Sequence, residues 1–386
     1  LQELADPQKL ADSNHALFQL VGIAALCAVL EVYECAPYAS YAQASYATVF
    51  RSQFNEEGMH LEHSPEYHLL ALRTITKIEG SGLLRLGDID KATLALAAGN
   101  LSVMMHPDAT FAAIGDTEPG KSSGAAAFDP VARWLLGDRK KGTAPAAGHW
   151  LFPQTGYAML RDPEARDGGS YLFLTAAHHS RIHKHMDTGS FEWSDRGQRI
   201  LIDSGKWGYS RTSEREYVLS NSAHNTIETR GVDNSPGDLP MEPAKLLFLS
   251  SAGAVGLAAD MRLPRRLVDA RFRRTIITLP GEWLVVVDEI EELLPSTHTS
   301  WFQLGPELDL ESVARNAFVA TDSVSSERLL VVPLLPVASS SAHKGVEEPA
   351  MIGWYSPAYG ELEPNWQLGF EGSGRRVEMA TLFKWL

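Results

Sequence analysis

The chain has 386 residues, 44% hydrophobic and 21% charged, an ordinary globular composition with enough apolar surface for sizeable cores. At roughly 100–200 residues per domain, this length predicts two or three domains. A formal net charge of -14, with no long basic run, argues against nucleic-acid binding as the main role.

Residues 1 to 105 read as helical. Leu17, Leu20, Val21, Ala24, Ala25 and Ala28 recur at helical spacing, and Pro37 is expected to end that helix. Tyr41–Phe54 is a second amphipathic stretch, and Tyr67–Ile78 a third with Pro65 near its start. Leu83–Met105 is a fourth, broken at Gly87-Asp88. The apolar run Leu17–Leu30 is shorter than the ~20 residues of a membrane span and reads as a buried helix, and no membrane span is expected. Leu1–Pro7 is polar with no basic start, so no secretory signal is read there. Cys27 and Cys35 fall eight apart in one expected helix, about 12 Å of rise, and are read as unpaired core thiols.

Residues 106–149 read as linker and loop, rich in glycine, serine, alanine and proline. Gly115-Asp-Thr-Glu-Pro-Gly120-Lys121-Ser122 matches the written pattern of a phosphate loop. It lacks the preceding strand and following helix that such a loop needs, and it is rejected as one. From residue 150 to the end the pattern changes to short period-two runs. Expected strands are 156–161, 170–176, 190–193, 199–203, 225–229, 245–250, 272–279, 282–290, 299–304, 318–321, 329–333 and 366–370. Many short strands punctuated by Gly, Pro and Asp indicate an antiparallel β-sandwich, and Pro280-Gly281 is a hairpin turn.

Most of the chemistry lies between Arg181 and Asn225. His183 and His185 are two apart and would share a face if the segment is a strand. His185, Asp203 and His224 form a set of cation ligands, while the plainer reading is satisfied core histidines. Arg181, Lys184, Lys206, Arg211 and Arg215 make a basic cleft in one reading and solvated surface charge in the other. By position alone Asn14 is a helix cap, and Tyr67 a buried helical tyrosine.

Five motifs in order sharpen this. Asn14-His15, Glu62-His63-Ser64-Pro65-Glu66-Tyr67-His68, His183-Lys-His-Met-Asp-Thr-Gly-Ser-Phe-Glu192, Leu201-Ile-Asp-Ser-Gly-Lys-Trp-Gly-Tyr209 and Ser222-Ala-His-Asn-Thr226 together resemble the heparinase II/III-like polysaccharide lyases. The resemblance implies part of an (α/α) toroid followed by the antiparallel β-sandwich. A full toroid needs more helices, so the chain is expected to begin inside that domain. It implies β-elimination beside a uronate, with an anionic polysaccharide as partner. The polymer would be a glycosaminoglycan such as heparan sulfate, alginate or a bacterial exopolysaccharide. Asn14 would neutralise the carboxylate, Tyr67 would act as acid and base, His183 as base, and His15 as a further catalytic group. His68, Lys184, Tyr209 and Arg211 would touch substrate. A structural divalent cation, zinc by preference, would sit on His185, Asp203 and His224. A polymer of this kind implies a periplasmic or secreted protein; the oligomeric state is not implied.

Two other readings stand beside it. A glycoside hydrolase would need two carboxylates flanking the bond, and Glu56, Glu57, Glu62 and Glu66 are available but in no hydrolase motif. A protein of this fold that binds polysaccharide or serves exopolysaccharide biosynthesis without turnover would bind as well after Tyr67→Phe.

Overall fold

In a computed structural model, the described residues are 5–11, 14–30, 35–166, 168–177, 180–232, 242–262 and 270–386. The helical part contains α1 (His15–Leu30), α2 (Ala36–Gln53), α3 (Pro65–Ser81) and α4 (Asp88–Gly99). Ala16, Leu17, Leu20, Ile23 and Ala24 of α1 face Ala42, Tyr46, Val49 and Phe50 of α2 and Leu69, Leu72 and Ile75 of α3 in one core. α3 is well delimited. The Ser64 hydroxyl accepts from the Tyr67 amide, Pro65 occupies the first turn, and Gly82 closes the helix in a left-handed conformation at φ 72°. That start places Tyr67 in the first turn of the helix.

Pro37 begins α2 rather than ending α1, because its fixed φ and missing amide suit a first turn. The cysteines also depart from expectation. Cys27 and Cys35 form a disulfide, with Cα atoms 5.3 Å apart. The premise of one straight helix fails: Cys27 belongs to α1, described to Leu30, and Cys35 stands just before α2.

Residues 106–149 hold a 3-10 turn (Pro119–Ala127) and a short helix, α5 (Pro130–Leu136). Phe111 to Thr117 is buried between the helices and the first sheet. That sheet has β1 (Gly148–Phe152), β2 (Tyr157–Asp162), β3 (Ser170–Thr175), β4 (Phe191–Asp195) and β5 (Gln198–Leu201) in sequential antiparallel order. It is covered on both faces. Tyr157, Met159, Tyr171 and Phe173 pack on Met59, Val103, Met104, Ala112 and Ile114. Ala158, Leu160, Leu172, Leu174 and Trp193 point the other way, into the sandwich core.

A short helix, α6 (Ser213–Leu219), leads into the second sheet. Its strands are β6 (Ile227–Thr229), β7 (Lys245–Ser251), β8 (Ala254–Arg262), β9 (Ala270–Leu279), β10 (Trp283–Gln303), β11 (Leu308–Ala314), β12 (Ala317–Asp322), β13 (Arg328–Pro333) and β14 (Ser339–Lys344). A small ribbon, β15 (Trp354–Tyr355) with β16 (Glu363–Pro364), precedes the last strand, β17 (Trp366–Trp385). The order β11-β12-β13-β17-β10-β9-β8-β7 is antiparallel, with β6 added to β10 and β14 to β17. Phe272, Ile276, Leu284, Val286, Phe302, Phe370 and Phe383 meet the first sheet in a shared core. The molecule is therefore layered as helices, sheet and sheet, a helical part followed by an antiparallel sandwich. Pro280-Gly281 does turn the β9–β10 hairpin, with Gly281 at φ 77° and its amide donated to Asp195 of β4. Among the described residues no helix is long and apolar enough to cross a membrane.

Candidate active site

The motifs converge where the helices meet the loops at one end of the first sheet. Tyr67 comes from α3. His183 and His185 come from the β3–β4 loop, Asp203 and Tyr209 from the loop after β5, and His224 from just before β6. The His183–His185 segment is irregular loop, not a strand: His183 ends a turn at φ 57°, and Lys184 and His185 follow it in no regular element. The same-face argument for the pair therefore does not apply. A different geometry joins them: His183 Nδ1 lies 2.8 Å from Asp116 Oδ2, and His185 Nε2 lies 2.9 Å from Asp116 Oδ1.

Tyr67 stacks on His183, ring centroids 3.7 Å apart. Its hydroxyl is 2.6 Å from that of Tyr209. Burial pushes the Tyr67 phenol up, against the hydrogen bond from Tyr209 and the charge of Lys206, which pull it down. Burial outweighs both, and Tyr67 is a phenol at neutral pH. The Lys206 ammonium is itself paired, 3.0 Å from both Glu66 and Glu118. Burial also raises the Tyr209 phenol, whose ring lies 5.7 Å from the Lys206 ammonium and 5.5 Å from the Arg215 guanidinium.

On the other side of His183, Nε2 is 3.5 Å from the buried Glu62 carboxylate. Burial raises the Glu62 carboxyl, while His183, the Asn14 backbone amide and His15 pull it down. Asn14 stands directly ahead of α1 and its carbonyl accepts from Leu17. Its neighbours Asp12 and Ser13 lie outside the described residues. His15 is exposed on the first turn of α1.

Behind this layer lies a second cluster. His185, Asp203 and His224 are buried and offer one ligand atom each, all within 4.8 Å of one another. His224 Nδ1 lies 2.7 Å from Asp203 Oδ2. His185 Nδ1 and His224 Nε2 are buried with no hydrogen-bond partner. Two orphaned imidazole nitrogens beside a carboxylate fit a zinc-like cation, since an uncompensated buried acceptor is costly. Burial pulls the His185 imidazolium down to about 4, which leaves the ring neutral, the form that ligates.

A family model described as heparinase II/III-like, C-terminal, matches residues 144–386, well over half of the chain. The chain belongs to the heparinase II/III-like family. No curated protein matches it. Among solved structures, a heparinase III gene product overlays with a TM-score of 0.77 at 18% identity, over 98% of this chain and 61% of that one. Heparan sulfate lyase HepC from Pedobacter heparinus gives 0.76 at 17%, over 97% and 60%. The chondroitin AC lyase of Streptomyces coelicolor A3, solved with chondroitin sulphate, gives 0.54 at 10%, over 96% and 60%. At these identities the likeness is one of fold, and the chain spans about three fifths of the length of these proteins.

Set on this heparinase II/III-like frame, the residues singled out by sequence divide into groups. Tyr67, His183 and Tyr209 touch one another, with Asn14 and His15 joined to them through Glu62. His185, Asp203 and His224 gather behind them. His68 lies elsewhere: it is buried in the helical core, with Nε2 donating to the Ala97 carbonyl at 2.8 Å and Nδ1 accepting from the His60 amide. Lys184 is buried too, its ammonium against Asp187, and burial pulls it down to about 7 against the opposing charge of Asp203. Both side chains are turned into the protein, away from any surface a polymer can reach. Arg211 is exposed ahead of α6. Asp116 and Glu118 were not singled out. The signal was the Gly115–Ser122 run itself, set aside once its phosphate-loop reading failed. Its acidic residues line the site instead.

Proposed function

We propose that this chain carries the cleft of a polysaccharide lyase that breaks a uronate-containing polymer by β-elimination. The observation that carries the reading is the stacked Tyr67–His183 pair, supplied by two different layers and closed on one side by Tyr209. A phenol and an imidazole held in contact supply a proton donor and a proton acceptor without rearrangement.

The chemistry divides among these groups. The C5–H bond breaks as His183 takes the proton, and its electron pair becomes the C4–C5 double bond. The C4–O bond breaks as the leaving oxygen takes the Tyr67 proton. Asn14, from the head of α1, donates its amide to the uronate carboxylate and stabilises the enolate-like charge. The raised Tyr67 phenol suits donation to the leaving oxygen better than proton abstraction. A divalent cation on His185, Asp203 and His224 would supply a fixed positive charge that locks the loops behind His183. The Cys27–Cys35 disulfide suits an oxidising compartment, and polymers of this class lie outside the cytoplasm; both support a periplasmic or secreted protein.

The test is Tyr67→Phe, which removes one oxygen and keeps the ring stacked on His183. Polymer affinity by calorimetry is expected to stay, while turnover falls by about 10²–10⁴-fold. Unchanged turnover would remove Tyr67 from the chemistry, and a wild-type protein that binds without any product would favour the non-catalytic reading.

A further inference from the structure

We propose that Asp116 is the positioning residue of this site, fixing with one carboxylate the tautomer of both His183 and His185. The inference rests on the lyase reading for its consequence but not for its geometry. Asp116 is buried, and its two oxygens are divided between the two rings: Oδ2 at 2.8 Å from His183 Nδ1, Oδ1 at 2.9 Å from His185 Nε2. Arg215 Nη1 donates to Oδ1 at 2.6 Å. A guanidinium and two imidazoles converge on this one buried side chain, a donor set that suits an ionised carboxylate.

An ionised carboxylate only accepts. Each ring therefore carries its proton on the nitrogen that faces Asp116; at His185 Nε2 the carboxylate, at 2.9 Å, is a nearer partner than Arg215 Nη1 at 3.4 Å. For His183 the proton is on Nδ1, so the lone pair is on Nε2, which lies 3.5 Å from the Glu62 carboxyl group and is the nitrogen that would take a proton from substrate. For His185 the proton is on Nε2, so the lone pair is on Nδ1. An independent observation agrees: Nδ1 is the His185 nitrogen that is buried without a partner in the candidate cation cluster. One side chain thus selects both the basic nitrogen of one ring and the ligand nitrogen of the other.

The backbone holds Asp116 in that place from both sides. Its amide donates to the His183 carbonyl at 3.1 Å. Gly115 has φ 53°, and a Cβ there would stand 2.4 Å from the His63 carbonyl oxygen and 2.5 Å from that of His183. Only glycine fits this approach. His63, at φ 54°, and His183, at φ 57°, are themselves in the left-handed region that non-glycine residues rarely adopt. Two left-handed histidines and one glycine thus interlock around one carboxylate, as at sites where geometry is over-determined.

An amide in place of the carboxylate offers one acceptor oxygen and one donating nitrogen. In Asp116→Asn at most one of the two rings keeps its proton where it was. The experiment is nitrogen-15 NMR of histidine-labelled full-length protein, with His183 and His185 assigned by replacing each in turn. The wild-type spectrum is expected to show His183 protonated on Nδ1 and His185 on Nε2; the reverse pattern in either ring overturns the proposal without need of a variant. In Asp116→Asn one ring is expected to change tautomer, and kcat to fall by about 10⁴-fold with KM nearly unchanged, the scale of a wrong tautomer in a hydrolase triad. Unchanged tautomers and kcat in a folded variant overturn it. Because the NMR readout needs no substrate, an absence of lyase activity in the wild type would count against the functional reading alone.

Discussion

Individual side chains were legible where their chemistry is local and misread where burial decided. The structure gathers Tyr67 with His183, and His185 with Asp203 and His224, from residues that the motifs named on separate elements and loops. His68 and Lys184 look like substrate contacts in sequence, being polar neighbours of Tyr67 and His183. One helical step turns His68 into the core, and one loop residue turns Lys184 onto Asp187. Asp116 lay in a run that was noticed and set aside, and no spacing links it to the histidines far along the chain; only the fold brings it to them. His68 carries a prediction of its own. Burial pulls its imidazolium down to about 4, against the hydrogen bond to Ala97, from an ordinary value near 6.5. The folded protein therefore refuses a proton that the unfolded chain accepts. Stability from the neutral ring is fully present above about 6.5 and falls as pH drops towards about 4, by about 3 kcal/mol in all. His68→Gln keeps a donor for the Ala97 carbonyl and cannot titrate. Urea midpoints of the two proteins are expected to converge as pH falls from 7 to 4.5; a constant gap would show that His68 does not titrate this way.

Secondary structure was legible to within a few residues wherever an amphipathic period survives. α3 has its cap, its proline and its closing glycine in the sequence, and most expected strands of the second sheet are present. The first sheet is buried on both faces, so β2 and β3 lack the alternation of a half-exposed strand, yet their apolar runs were still read as strands. Two kinds of miss have physical causes. β10 runs unbroken from Trp283 to Gln303 through a register shift near Glu291 and Ser296, where the pattern had suggested two strands. β8, β11 and β14 were not expected; β8 is alanine- and glycine-rich, and β14 is largely serine. The Cys27–Cys35 disulfide joins α1 to α2 across a separation of 8 residues. Chain-entropy arithmetic gives a loop of that size about 2–3 kcal/mol of stabilisation. Replacing both cysteines by alanine is expected to lower the unfolding free energy from urea titration by about that amount; no change would mean that packing of α1 on α2 and α3 suffices alone.

Across the whole molecule, the site exists only because the layers meet. α3 brings the phenol, the buried segment around Asp116 fills the space between helices and sheet, and the loops of the first sheet bring the histidines. The second sheet holds those loops from behind: the buried Arg274 of β9 pairs with Asp288 and donates to the backbone carbonyls of Gly189 and Asn225, next to Asp187 and His224. The net charge of -14 also bears on substrate. Of the cations read as a basic cleft, Lys184, Lys206 and Arg215 are each committed to carboxylates, and Arg181 and Arg211 are exposed. On the lyase reading, cations so committed are expected to favour a lightly sulfated uronate polymer over one densely covered with sulfate. The most direct measurement is ultraviolet absorbance during incubation with heparin, heparan sulfate, chondroitin sulfate, hyaluronan and alginate. Elimination leaves a C4–C5 double bond conjugated to the carboxylate, which absorbs; hydrolysis leaves none. The account predicts rising absorbance on at least one polymer, weakest on heparin and lost in Tyr67→Phe. New reducing ends without absorbance would contradict it and make the protein a hydrolase.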